Sequence, residues 1–139
     1  MLTPSVSFDA DPHALGMQPH PEGGWYHRIW AHEGEVETPN GVRPLATAVS
    51  FLLLPGERSR WHRVRSPELW LWQGGGTLRL QVGGSAEVPG EGEAVELGAG
   101  GRYLVPGGVW QTAEPAGHHA VLVACVVSPG FDFADFELA

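Results

Sequence analysis

Gly56-Glu57-Arg58-Ser59-Arg60-Trp61-His62-Arg63-Val64-Arg65-Ser66-Pro67-Glu68-Leu69-Trp70-Leu71-Trp72-Gln73, closed by Gly74-Gly75, is the stretch whose reading decides the fold. It predicts two short strands, residues 60–64 and 68–73, joined as a hairpin around Arg65-Ser66-Pro67. Successive side chains of a strand point to opposite faces. His62 and Val64 therefore share one face of the first strand, and Glu68, Trp70 and Trp72 share one face of the second. In hairpin geometry His62 and Glu68 enter the same cavity.

Working outward, Gly100-Gly101-Arg102-Tyr103-Leu104-Val105-Pro106-Gly107-Gly108-Val109-Trp110-Gln111 predicts another strand pair, which brings Gln111 toward that cavity. Residues 46–54 form a nearly continuous apolar run stopped by Pro55-Gly56, as suits a strand buried on both faces. Further strands are expected at residues 25–30, 78–82, 93–97, 102–105, 109–113 and 120–127, with an acidic loop over 83–92. About nine short strands with Gly- or Pro-marked turns imply an all-β antiparallel sandwich or barrel. The 20 glycines and 12 prolines agree. Residues 1–19 read as an irregular N-terminal segment with at most one helical turn around Asp11 to Leu15, and residues 20–139 as the barrel of a single domain.

Composition removes several function classes. The net charge is −8 and all eight basic residues are arginine, which argues against a nucleic-acid partner. Without lysine there is no Schiff-base chemistry. The one cysteine, Cys125, sits in the apolar run 120–127 and reads as a small buried hydrophobe. The N-terminus has neither a basic opening nor an apolar core region, and no run approaches the ~18 apolar residues of a membrane span, so a cytoplasmic protein without membrane contact is expected.

The two Gly-bounded stretches resemble the paired motifs of a cupin barrel, the double-stranded antiparallel β-helix or jelly roll. Gly56, His62, Glu68 and Gly75 fit the first motif, with Val64 in place of its second histidine. Gly100, Pro106 and Gly108 fit the second, with Gln111 in place of its histidine. Four more stretches are similar to the cupin five branch, whose members are small stand-alone cupins: His20-Pro21-Glu22-Gly23-Gly24-Trp25-Tyr26, residues 46–53, Trp61 to Val64 with Glu68-Leu69-Trp70, and Ser128-Pro129-Gly130-Phe131-Asp132-Phe133-Ala134-Asp135-Phe136-Glu137-Leu138. In that branch Val or Leu at position 64 and Gln at position 111 look like the norm. Cupins commonly pair strand edges between subunits, which implies a homodimer with residues 20–30 and 131–136 at or near the interface.

His62 and Glu68 are the candidate catalytic pair, because an imidazole beside a carboxylate is a tunable base. Gln111 could orient a carbonyl or hydroxyl. Trp61, Trp70 and Trp72 are candidate pocket walls for a sugar or flat heterocycle, Glu22 is a candidate carboxylate at the pocket mouth, and Tyr26 a candidate substrate contact. His62, Glu68 and Gln111 are the residues that would hold a metal, but one imidazole, one carboxylate and one neutral amide make a poor transition-metal set, so no cofactor is expected. Three functions are in competition: a metal-independent isomerase similar in plan to the sugar-nucleotide epimerases, a non-catalytic ligand-binding or sensing cupin, and a metal-dependent oxygenase or isomerase. A tyrosine in the pocket would favour the first, a closed apolar pocket the second. His62 is expected to contribute little to packing, so that His62→Ala leaves the fold intact.

Overall fold

A computed structural model describes residues 11–139. The strands are β1 (Gln18–Pro19), β2 (Trp25–Ala31), β3 (Glu35–Thr38), β4 (Gly41–Pro44), β5 (Thr47–Leu53), β6 (Ser59–Val64), β7 (Glu68–Gly75), β8 (Leu78–Val82), β9 (Ala94–Leu97), β10 (Arg102–Val105), β11 (Gln111–Pro115), β12 (Val121–Val127) and β13 (Phe136–Leu138). One 3-10 turn, Phe133–Asp135, precedes β13. A six-stranded sheet ordered β1-β2-β5-β12-β7-β10 faces a five-stranded sheet ordered β13-β6-β11-β8-β9, and β3-β4 is a separate ribbon. The pairings are antiparallel.

Residues 60–64 and 68–73 do form strands, but they are not a hairpin. β6 lies between β13 and β11 in one sheet, and β7 between β12 and β10 in the other. Arg65-Ser66-Pro67 is a corner between sheets. Each strand is interior to its sheet and satisfies both rows of backbone groups with distant partners, which outweighs the local pairing suggested by the turn residues. His62 and Glu68 consequently approach the barrel interior from opposite sheets.

The apolar run of β5 is buried on both faces, as its composition implies. Phe51 and Leu53 face inward with Trp70, Leu78, Leu80, Val121 and Val123. Leu52 faces outward and is covered by Met17 and Ala120. The cover comes from the N-terminal segment, where Leu15 N–H donates to the Asp11 carbonyl (3.2 Å) in a single turn. β1 is a pair of ladder residues within the stretch read as irregular, and it pairs with Trp25 and Tyr26. The part of that expectation concerning residues 1–10 lies outside the described residues. Each large apolar side chain buried this way contributes about 1.5–3 kcal/mol by removal from water.

At the other end of the barrel the inward positions become polar. Thr47, His62, Glu68 and Gln111 stand where Leu53, Trp72 and Leu78 stand on the apolar side. The C-terminal segment closes over this end and is held there by an ion pair. Arg43 of the β3–β4 ribbon donates through Nε to Asp135 Oδ2 (2.8 Å) and through Nη2 to Oδ1 (3.1 Å), and Asn40 Nδ2 also donates to Oδ1 (3.1 Å). The ribbon, whose sequence shows a polar stretch over residues 32–40 and a turn signal at Pro39-Asn40-Gly41, is the anchor of this closure.

Candidate functional site

The polar end is organised by Glu22. Gly23 and Gly24 follow it with φ of +108° and +77°, in the left-handed region that glycine adopts without strain. A Cβ on Gly23 would lie 2.3 Å from the Arg58 carbonyl oxygen, and one on Gly24 would lie 2.8 Å from the Phe51 ring. Only glycine fits. The resulting tight turn, tied by Arg60 N–H to the Glu22 carbonyl (2.7 Å), drives the Glu22 side chain into the barrel, where it is buried.

Three polar side chains converge on that carboxyl. Glu22 Oε1 lies 3.3 Å from His62 Nε2 and 3.4 Å from His20 Nδ1, while Ser59 Oγ donates to Oε2. Donor and acceptor roles follow from the neighbours. His62 Nδ1 is 2.7 Å from the Arg60 carbonyl, which can only accept, so Nδ1 carries the proton and Nε2 presents a lone pair to Glu22. His20 Nδ1 accepts the Glu22 backbone N–H (3.1 Å), so it too is unprotonated. Two imidazole lone pairs thus face one carboxyl oxygen, an arrangement that suits the protonated acid.

The electrostatics follow burial. Desolvation pushes the Glu22 carboxyl up to about 8, against the opposing hydrogen bond from Ser59. His20 is lowered to about 4 by burial and then by the charge of His62. Burial also lowers His62, opposed by the Glu68 charge and the Arg60 carbonyl. Glu68 is raised by burial, with the His62 charge opposing.

Across the interior, Trp70 Nε1 donates to Gln111 Oε1 (2.8 Å) and Gln111 Nε2 donates to Glu68 Oε1 (2.8 Å). An indole N–H only donates, which fixes the amide orientation and turns its NH₂ toward the carboxyl. Gln111 therefore positions Glu68. Every buried side-chain nitrogen and oxygen among the described residues has a partner.

His20, Glu22, Tyr26, Glu68, Cys125 and Phe131 are among the residues lining a cavity of about 40 Å³. His62 is fully buried behind Glu22 and does not reach the lining, so it is not the rim or pocket residue expected. Its ring stacks on Phe136 at 5.6 Å. The indoles do not wall the cavity either. Trp70 belongs to the apolar core, and Trp72 packs against that core with its Nε1 donating to the Gly76 carbonyl (2.8 Å). Trp61 packs outside the barrel interior, near Gly83. Inward strand positions lie at different depths, and alternation alone does not distinguish them. The aromatic residues in the lining are instead Tyr26 and Phe131, and Phe131, Phe133 and Phe136 of the C-terminal segment pack around the His20 ring with centroids within 6.5 Å. Their alternation with acids after Pro129-Gly130 was the available signal. His20 and Ser59 carried none beyond the motif stretches around them.

Two facing antiparallel sheets with a polar, enclosed end define a β-barrel of the jelly-roll class. Residues 13–139 match the family described as Cupin superfamily (DUF985), Cupin_5, and the chain belongs to that family. A crystal structure from Shewanella oneidensis is 33% identical with a TM-score of 0.83, covering 97% of this chain and 85% of that one. A hypothetical protein from Leishmania major is 30% identical with a TM-score of 0.77, covering 91% and 84%. A cupin-like protein from Thermotoga maritima shares the fold at 16% identity and a TM-score of 0.60, covering 83% and 74%. No curated protein matches the chain. No helix among the described residues is long and apolar enough to cross a membrane.

The metal that many cupins carry does not fit these residues. Two positions of the paired motifs offer no imidazole here: Val64 is apolar and buried, and Gln111 supplies an amide whose Oε1 is held by Trp70. Among the described residues no cluster of three or more His, Cys, Asp or Glu is arranged as a metal site.

Proposed function

We propose that this cupin is a metal-independent proton-transfer enzyme of the isomerase or epimerase type, with Glu22 as its acid-base residue. The observation that carries this is the convergence of two imidazole nitrogens and Ser59 on the Glu22 carboxyl at the wall of the cavity. A carboxyl held near 8 is a stronger base than an ordinary one and still ionises close to neutral pH. In its ionised form it takes a proton from the hydroxyl-bearing carbon next to a ligand carbonyl. Glu68, whose carboxyl burial shifts toward the protonated form, gives a proton to the carbonyl oxygen, so that an enediol forms with no net change of charge. Return of both protons, with the carbon reprotonated at either face or the neighbouring position, completes the isomerisation. His62 acts through Glu22 as a positioning residue.

The enclosed cavity and its aromatic wall favour a second reading, a cupin that binds a small ligand without turnover. The two separate in D₂O. Two- to four-carbon α-hydroxy carbonyl compounds and their phosphate esters are incubated with the protein and followed by ¹H NMR. Enzymatic exchange at the carbon next to the carbonyl, lost in Glu22→Gln, supports proton transfer. No exchange with any compound, or exchange retained in the variant, rejects it.

A further inference from the structure

The cavity of about 40 Å³ is far smaller than the roughly 300 Å³ and upward of ordinary ligand pockets. It admits only the reacting end of a molecule. Immediately outside lies a groove of about 430 Å³, and Tyr26, Thr47, Val49 and Phe131 line both spaces. These four form the partition, with Phe131 fixed in it by its N–H donating to Thr47 Oγ1 (2.9 Å). Arg28 stands on the groove wall beside Val49, its neighbour across the β2–β5 ladder.

Among the described residues no carboxylate lies within ion-pair distance of Arg28. The one acid in the groove, Asp132, has Oδ1 accepting the Ala134 N–H (2.8 Å) and Oδ2 turned to Arg43 at 4.0 Å. In a chain of net charge −8 the groove thus holds an exposed guanidinium with no assigned anion, flanked by His27, Gln18 and the Tyr26 hydroxyl, with Gln18 Nε2 donating to the latter at 3.3 Å. An arginine in a concave site recognises carboxylate or phosphate oxygens through its planar fork of donors.

We propose that this groove is an anion subsite, in which Arg28 holds the carboxylate or phosphate tail of a ligand whose reacting end passes Phe131 to Glu22. The placement of the reacting end rests on the proton-transfer function above; the anion subsite does not. Inorganic phosphate, acetate and neutral acetamide are titrated into ¹⁵N-labelled full-length protein. Phosphate or acetate is expected to shift the amides of Tyr26, Arg28 and Asp132 saturably, and acetamide to leave them in place. Phosphate binding with acetate inert assigns a phosphate ester, and both binding assigns the broader class. Arg28→Gln should weaken the anion at least fivefold, whereas Arg102→Gln, on a distant strand, should not. Glu22→Gln should bind phosphate as the wild type does even while it loses deuterium exchange, so each proposal fails separately. Shifts centred on Arg63 and Arg65, equal response to acetamide, or unchanged affinity in Arg28→Gln would overturn the anion subsite.

Discussion

His62 presents its lone pair at Nε2 to Glu22 Oε1 across 3.3 Å while its Nδ1–H is engaged by the Arg60 carbonyl at 2.7 Å. The residue that the motif spacing offers as a pocket base thus stands one layer behind a glutamate that faces the cavity. The predictions below follow from that layering and from the closure above it.

Glu22 makes stability depend on pH. Its folded value of about 8 exceeds the ordinary 4.5, so between these pH values the folded chain holds a proton that the unfolded chain has released, and stability falls as pH rises. His20, lowered from 6.5 to about 4, acts in the opposite sense below 6.5, because there the unfolded chain holds the extra proton. The two slopes oppose one another in mild acid and leave a decline from about 6.5 to 8. Glu22→Gln should fold, since its amide has two N–H donors for the two imidazoles and an oxygen for Ser59, and should make that decline shallower, leaving the part that Glu68, also raised by burial, contributes. Urea midpoints at a series of pH values check this; an unchanged slope in the variant means that Glu22 is not the group titrating.

Removing the imidazole should destabilise the fold, contrary to what a rim residue would do. His62→Ala empties a fully buried site against Phe136, and such truncations cost about 2–5 kcal/mol. A urea midpoint equal to that of the wild type would place His62 in a site that tolerates its loss.

The Arg43–Asp135 pair should control closure of the aromatic wall. The two side chains are only 7% and 5% exposed, so Arg43→Met leaves Asp135 without its main partner. Amide exchange over residues 131–136 is expected to accelerate at least tenfold, with β5 and β12 unaffected. Uniform acceleration across the barrel would instead mean that the pair supports the whole fold.

Chelation should leave the melting temperature unchanged, because Val64 and Gln111 stand where the paired motifs would supply two imidazoles, and Gln111 Oε1 is held by Trp70. A structural metal contributes several kcal/mol, so its removal would be plain in a thermal melt. A drop reversed by one particular divalent ion would show a site that this donor set does not predict.

β2 should mediate self-association. β1 covers only Trp25 and Tyr26, and beyond them the outer edge of β2 has no strand partner among the described residues, while Ile29 and Trp30 are 54% and 47% exposed. An open apolar edge is suited to pairing with a second copy. Sedimentation should give a dimer at micromolar concentration and a monomer for the double variant Ile29→Glu, Trp30→Lys; a monomeric wild type ends the idea.

The barrel itself was legible in the sequence because its determinants are local. Period-two alternation marked β6, β7 and β8, glycine and proline marked their ends, and the apolar run of β5 required burial on both faces, which Phe51 and Leu52 display. Inward placement of His62 and Glu68 followed from the same period. Pairing did not: Pro67 turns the chain whether the turn closes a hairpin or a corner, and only the long-range partners β11, β12 and β13 decide between them.

The site was decided almost wholly by tertiary structure. Depth along the barrel axis separates Glu22, at the cavity wall, from Trp70 in the apolar core, and strand periodicity carries no information on depth. The proton on Glu22 depends on His20, Ser59 and His62, two of them up to 40 positions away, brought within hydrogen-bonding reach by the Gly23-Gly24 turn. The aromatic wall depends on Arg43 meeting Asp135 across 92 positions. Sequence alone names the side chains that can hold a proton or a charge; burial and the neighbours supplied by folding determine which of them does so, because desolvation and hydrogen bonding act through space and not along the chain.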